Sequence, residues 1–172
     1  MERIKRFIRH HLNKFILVLS FLFVCCQDGI QYYSYQPVSP AGWNRKDTLL
    51  YPITPSLPIG NHNIQIGIRH LESYAYRDIW LGLQCSLNDS LVCDTIHLYL
   101  ADELGNWHGK GIGGLIQFAQ NTSLKLPIQD SISPSELRIF HLMSDSVLKH
   151  VCDVGLRLSF APSSINTEED KQ

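Results

Sequence analysis

Three kinds of side chain in this sequence could do chemistry, and each is limited by its neighbours. The first is the thiol pair Cys25-Cys26, which ends the apolar run Phe15-Ile-Leu-Val-Leu-Ser-Phe-Leu-Phe-Val24 and gives way at once to polar Gln27-Asp28-Gly29. A cysteine standing where an export signal is cut can take a diacylglyceryl group, because its sulfur is the nucleophile that forms the thioether. Cys26 is the better acceptor. In that register the small Cys25 precedes the cut, whereas lipid on Cys25 would put the bulkier Val24 there. The second kind is imidazole: His62, His70, His97, His108, His141 and His150 lie beyond the signal, none at the spacing of a metal site. With no H-E-x-x-H, G-x-S-x-G or cysteine–histidine signature, they read as scattered surface residues, and no catalytic residue, metal or cofactor is expected. The third is Gly109-Lys-Gly-Ile-Gly-Gly114, which has the letters of G-x-G-x-x-G. That motif holds a pyrophosphate only when a helix follows, and none is foreshadowed here, so the segment reads as a glycine-rich turn between strands.

Cys85, Cys93 and Cys152 are the remaining thiols, and an exported protein can oxidise them. Cys85 and Cys93 are a candidate disulfide if the loop between their strands is the three residues Asn88-Asp89-Ser90, which sets them opposite each other. An even-length loop puts them out of line, leaving small core cysteines instead. Tyr74-Ala-Tyr-Arg-Asp-Ile-Trp80, with Trp43 and Trp107, concentrates aromatic and arginine side chains that serve equally as interface anchors or as core.

The elements around these residues begin with export. Arg3, Lys5, Arg6, Arg9 and Lys14 precede the apolar run, the order of a basic n-region and an h-region. The run is about ten residues, half of the ~20 that cross a bilayer as a helix, so a cleaved signal is expected rather than a permanent span. Residues 1–25 are thus a lipoprotein signal peptide. Five of the 15 basic residues and one of the 16 acidic ones go with it, and the remaining 147 residues carry a formal charge of −5. That balance argues against a nucleic-acid partner.

Residues 26–48 have turn formers and no sustained periodicity, and read as a lipidated N-terminus and tether. Residues 49–160 read as strands. Ile64, Ile66 and Ile68 alternate with polar neighbours, as do Ile79, Leu81, Leu83 and Cys85, then Ile96, Leu98 and Leu100, and finally Val154, Leu156, Leu158 and Phe160. Further strands are expected at 114–126 and 137–143, although Ser133-Pro-Ser-Glu136 could also open a short helical turn. Seven or eight strands of this length predict an all-β fold, a single antiparallel β-sandwich of jelly-roll or immunoglobulin-like kind. Residues 161–172 read as a disordered polar tail.

From about Tyr32 to Phe160 the sequence resembles the gliding-motility lipoprotein GldH family of Bacteroidetes. The resemblance is carried by Gly42-Trp43, Ile66-Gly-Ile-Arg-His70, Tyr74-Ala-Tyr-Arg-Asp-Ile-Trp-Leu81, Asp94-Thr95, Leu100-Ala-Asp102, Gly105-Asn-Trp107 with Gly109-Lys-Gly111, and Asp153-Val-Gly-Leu-Arg157, in the family's order and spacing. The family more often has Asn and Leu within Arg77-Asp-Ile79 and an arginine where Ser144 stands, which makes this chain a divergent relative. The resemblance implies a non-enzymatic cell-envelope lipoprotein, held by its N-terminal lipid on a membrane facing the periplasm. It also implies envelope proteins of the gliding or type IX secretion machinery as partners. A lipid-anchored glycan- or ligand-binding sandwich is the rival reading. In a Bacteroidetes host, Asp-(Ser/Thr)-apolar triplets are O-glycosylation acceptors, which marks Thr48, Ser90, Thr95, Ser131 and Ser146; local turn chemistry explains the same triplets.

Overall fold

The computed structural model describes residues 29–54, 56–87, 90–129 and 136–161. The signal segment, Cys26, Ser131 and the tail after Ala161 lie outside these residues.

Eleven strands follow one another in the described residues: β1 Ile30–Pro37, β2 Trp43–Asn44, β3 Leu49–Pro52, β4 Gly60–Leu71, β5 Asp78–Leu87, β6 Ser90–Tyr99, β7 Lys110–Ile112, β8 Leu115–Ile128, β9 Glu136–His141, β10 Val147–Leu148 and β11 Val151–Phe160. Among the described residues there is no helix, and Glu136 opens a strand. One sheet has the order β1-β11-β4-β8-β7, a second the order β3-β9-β5-β6, and β10 pairs with β2 as a small ribbon. Every pairing is antiparallel. Set aside the short β2, β7 and β10, and the eight long strands lie in the order 1-8-3-6 facing 2-7-4-5. That is the double-sheet arrangement of a jelly roll, which decides between the two sandwich types the sequence left open.

The alternating side chains explain why the sheets pack as they do. Ile64, Ile66 and Ile68 of β4, Ile79, Leu81, Leu83 and Cys85 of β5, Ile96 and Leu98 of β6, and Val154, Leu156 and Leu158 of β11 are all buried between the sheets. Tyr51 bridges the two layers: its hydroxyl on β3 donates to Val154 O on β11 at 2.8 Å. Burial there pushes the phenol pKa well up, so it stays a donor.

Four expectations need correction. Residues 30–44 are not tether: β1 pairs with β11 from Ile30 to Pro37, and β2 pairs with β10, because Tyr32 and Trp43 supply apolar surface that the sandwich buries. Phe160 does not continue the inward alternation; it is 40% exposed at the end of β11, where its ring lies beside Gly60. The β5–β6 hairpin has the register of an even-length loop, pairing Leu87 with Ser90, Gln84 with Cys93 and Cys85 with Val92. The one-residue offset sends Cys85 into the core and Cys93 to the surface, so both thiols are free and the candidate disulfide is not formed. Nor are the histidines all on the surface. His62, His70 and His141 are wholly buried.

Candidate functional site

Two outward surfaces stand out, one on each sheet. On the five-stranded sheet, cross-strand register lines up Tyr35, Gly155, Gly67 and Ala119 in one row running across β1, β11, β4 and β8. Three small residues in a row leave a trough in the outer face. One bank is the row Tyr33, Arg157, Gln65 and Asn121; the other is Asp153, Arg69 and Gln117. Strand geometry places these banks about 13 Å apart, two pleats at ~3.3 Å per residue.

Tyr35 lies down into its own end of the trough, over Gly155 and Gly67. Arg69 sits over the ring with its guanidinium carbon 4.1 Å from the centroid, and donates through Nε to Gln117 Oε1 at 3.0 Å. Partial burial and the neighbouring Tyr33 push the Tyr35 pKa up to about 12. Tyr33 meets Tyr35 edge-on at 5.7 Å between centroids and is itself 59% exposed. What remains open is a cavity of about 240 Å³ whose walls include Tyr33, Gln65, Gln117 and Arg157. Gln65 is already spent on Asn121 at 3.0 Å, while Arg157 Nε is buried without a protein partner among the described residues. An aromatic face, amides and a guanidinium donor are recognition groups: they suit stacking and hydrogen bonding to a polar ligand.

The outer face of the second sheet is aromatic. Trp80 on β5 and His97 on β6 are directly opposed and stack, with ring centroids 3.8 Å apart and planes 11° apart. His97 Nε2 lies 2.6 Å from Asp78 Oδ2, and Tyr99 packs against the same imidazole at 4.3 Å. Trp80 and Tyr99 remain 42% and 56% exposed. Phe140 of β9 covers Gly82 beside them. Trp80 is therefore left exposed on the sheet face, while Trp43 and Tyr74 take the core alternative, both being buried.

The buried histidines are pins rather than ligands. His62 Nε2 donates to Pro58 O at 2.8 Å, His70 Nδ1 to Leu71 O at 2.9 Å, and His141 Nε2 to Trp43 O at 3.1 Å. Each uses one ring nitrogen on a backbone carbonyl, and His70 and His141 also pack on Trp107 and Trp43. Burial lowers the pKa of His70 and His141, which keeps them neutral. Among the described residues no group of three or more His, Cys, Asp or Glu is placed to hold a metal ion. The glycine motif forms the β7–β8 hairpin, whose turn residues Gly113 and Gly114 have φ of 65° and 81°. A two-residue turn with both φ values positive is one that glycine adopts without strain.

Of the marked hydroxyls, Thr48, Thr95 and Ser146 are exposed: Thr48 immediately precedes β3, Thr95 lies on β6 and Ser146 immediately precedes β10. Ser90 begins β6. The trough escaped sequence reading, although a signal existed: Gly67 and Gly155 interrupt strand interiors, and a strand glycine marks a close approach by another group.

The model of the GldH lipoprotein family matches residues 30–158. No curated protein matches the chain. Among solved structures it is similar to the VP2 subviral particle of infectious bursal disease virus, at 13% identity and a TM-score of 0.27, over 76% of this chain and 30% of that one. It is also similar to the coat protein dimer of Tobacco streak virus, at 10% identity and a TM-score of 0.24, over 80% of this chain and 96% of that one. The chain thus spans under a third of the first of these two structures.

Proposed function

The chain belongs to the GldH lipoprotein family, and from that premise we propose that it is a periplasm-facing adaptor held on its membrane by lipid at Cys26, serving gliding motility or type IX secretion. The observation that carries this reading is the family match over residues 30–158 following directly on an apolar run that ends at Cys25-Cys26. Two or more acyl chains at ~0.8 kcal/mol per buried CH₂ keep a protein on a bilayer for long times. Confinement to that surface raises its concentration near other membrane-held subunits, so weak docking suffices. The exposed Trp80–His97–Tyr99 face supplies the aromatic surface that such docking favours.

The test is made in the native host with tagged wild-type protein and Cys26→Ser. Wild type should enter the detergent phase and bring down motility or secretion subunits, and Cys26→Ser should stay aqueous and lose them. Wild type in the aqueous phase, or starting at Met1, would remove the anchor and the reading with it. The intact mass of the same material reports any sugar on the Asp-Ser and Asp-Thr triplets, since a mass equal to the lipidated chain alone ends that idea.

The trough favours a second reading, a lipid-anchored module that binds a glycan or other small polar ligand beside Tyr33 and Arg157. Saturable binding of a sugar, lost in Tyr33→Ala while partner recovery is unchanged, would favour it over the adaptor.

A further inference from the structure

Several apolar side chains crowd the end of the sandwich at which the chain arrives from Cys26. Gly29 is fixed there, its carbonyl accepting from Phe160 N at 2.9 Å, and Ala161 N donates to Asn61 O at 2.8 Å beside it. Ile30 pairs with Ser159, Phe160 pairs with His62, and Ile59 stands one residue before Gly60, against which the Phe160 ring packs. Ile30, Ile59 and Phe160 are 41%, 58% and 40% exposed on this rim.

The length of chain between the rim and the lipid decides what can cover it. From Cys26 to Gly29 is three residue steps, and a fully extended chain spans at most ~3.6 Å per step, or about 11 Å. An α-helix with its side chains is ~10–12 Å across, so even one helix of another protein scarcely fits beneath the rim. The interfacial region of one leaflet is about 5–7 Å thick, well inside the same reach. We propose that Ile30, Ile59 and Phe160 form a membrane-contacting rim that seats this end of the sandwich in the interfacial layer of the bilayer carrying the Cys26 lipid. The inference rests on lipidation of Cys26.

Seating that end orients the rest. β4 runs from Gly60 at the rim to Leu71, twelve residues, so at ~3.3 Å per residue the far end stands on the order of 36 Å away. Leu71 pairs there with Leu115, next to the turn that exposes Ile112 at 93%. The trough and the Trp80 face then look sideways along the membrane, toward neighbours anchored in the same surface.

The test uses the full chain, lipidated in its native host, with Cys93→Ser and Cys152→Ser to remove accessible thiols. Either Ile59→Cys or Ile112→Cys is added and labelled with an environment-sensitive nitrobenzoxadiazole dye. The protein is reconstituted into vesicles of phosphatidylethanolamine and phosphatidylglycerol. The label at position 59 should shift to the blue and be quenched severalfold by lipids spin-labelled near the headgroup, and the label at 112 should do neither. A label at 59 that behaves like the one at 112, on protein whose N-terminal peptide carries the lipid by mass, overturns the rim and leaves the anchor standing. An N-terminal peptide without lipid overturns both.

Discussion

The ring of Tyr35 covers Gly155 so closely that a Cβ on that glycine would stand 2.5 Å from Cζ and 2.7 Å from each Cε. Gly67, on the next strand, lies under the same phenol. Gly155→Ala or Gly67→Ala must therefore lift Tyr35 out of the trough and away from Arg69. Overpacking of this kind costs about 1–3 kcal/mol. Thermal unfolding should show the loss for either alanine. Adding Tyr35→Ala should cost less in those backgrounds than in wild type, since the contact is already broken.

The buried histidines make stability depend on pH in a fixed direction. His70 and His141 have lowered pKa values, chiefly through desolvation, whereas the unfolded chain protonates them near 6.5. Below that value the unfolded state binds protons that the folded state refuses, so stability should fall as pH drops from 7 through 6 and below. Urea melts across this range should show the midpoint declining, and His141→Gln should flatten the slope while lowering stability at pH 7. A midpoint that rises on acidification would contradict the burial of these rings.

The hairpin register predicts the behaviour of two thiols. Cys93 is exposed and should be alkylated rapidly in the folded protein under non-reducing conditions. Cys85 is buried, and desolvation, with Cys93 nearby, raises its pKa, so it should react only on unfolding. Peptide mapping that finds the two linked would restore a three-residue loop.

Trp80 and Tyr99 are exposed in spite of their size, and aromatic pairs contribute about 0.5–1.5 kcal/mol beyond the area they bury. Trp80→Ala with Tyr99→Ala should leave a folded protein, destabilised by no more than a few kcal/mol, that stays on the membrane but recovers less of its partners. Unchanged recovery would move the docking surface elsewhere.

Much of this molecule was legible in one dimension. Alternation with a period of two placed Ile64–Ile68, Ile79–Cys85, Ile96–Leu100 and Val154–Leu158 on inward faces, because the pleat sends successive side chains to opposite sides whatever strand lies next door. The apolar run ahead of Cys25-Cys26 and the blocks from Gly42-Trp43 to Arg157 likewise pointed to the lipoprotein family before any contact was known. Pairing was different. The loop of the β5–β6 hairpin could be two residues or three, and only the register that buries Ile96 and Leu98 opposite Leu81 and Ile79 separated Cys85 from Cys93. Tyr32 and Trp43 gave no periodic signal, yet edge pairing and core contacts drew their segments into the sheets. His62, His70 and His141 became core only because backbone carbonyls of Pro58, Leu71 and Trp43 came within reach. The trough likewise depends on Gly67, Gly155 and Ala119 falling into one row across three strands that are far apart in sequence. A sequence states which face each side chain takes, a local consequence of chain geometry. Which faces meet is fixed by burial and hydrogen bonding across strands, and those are properties of the folded whole.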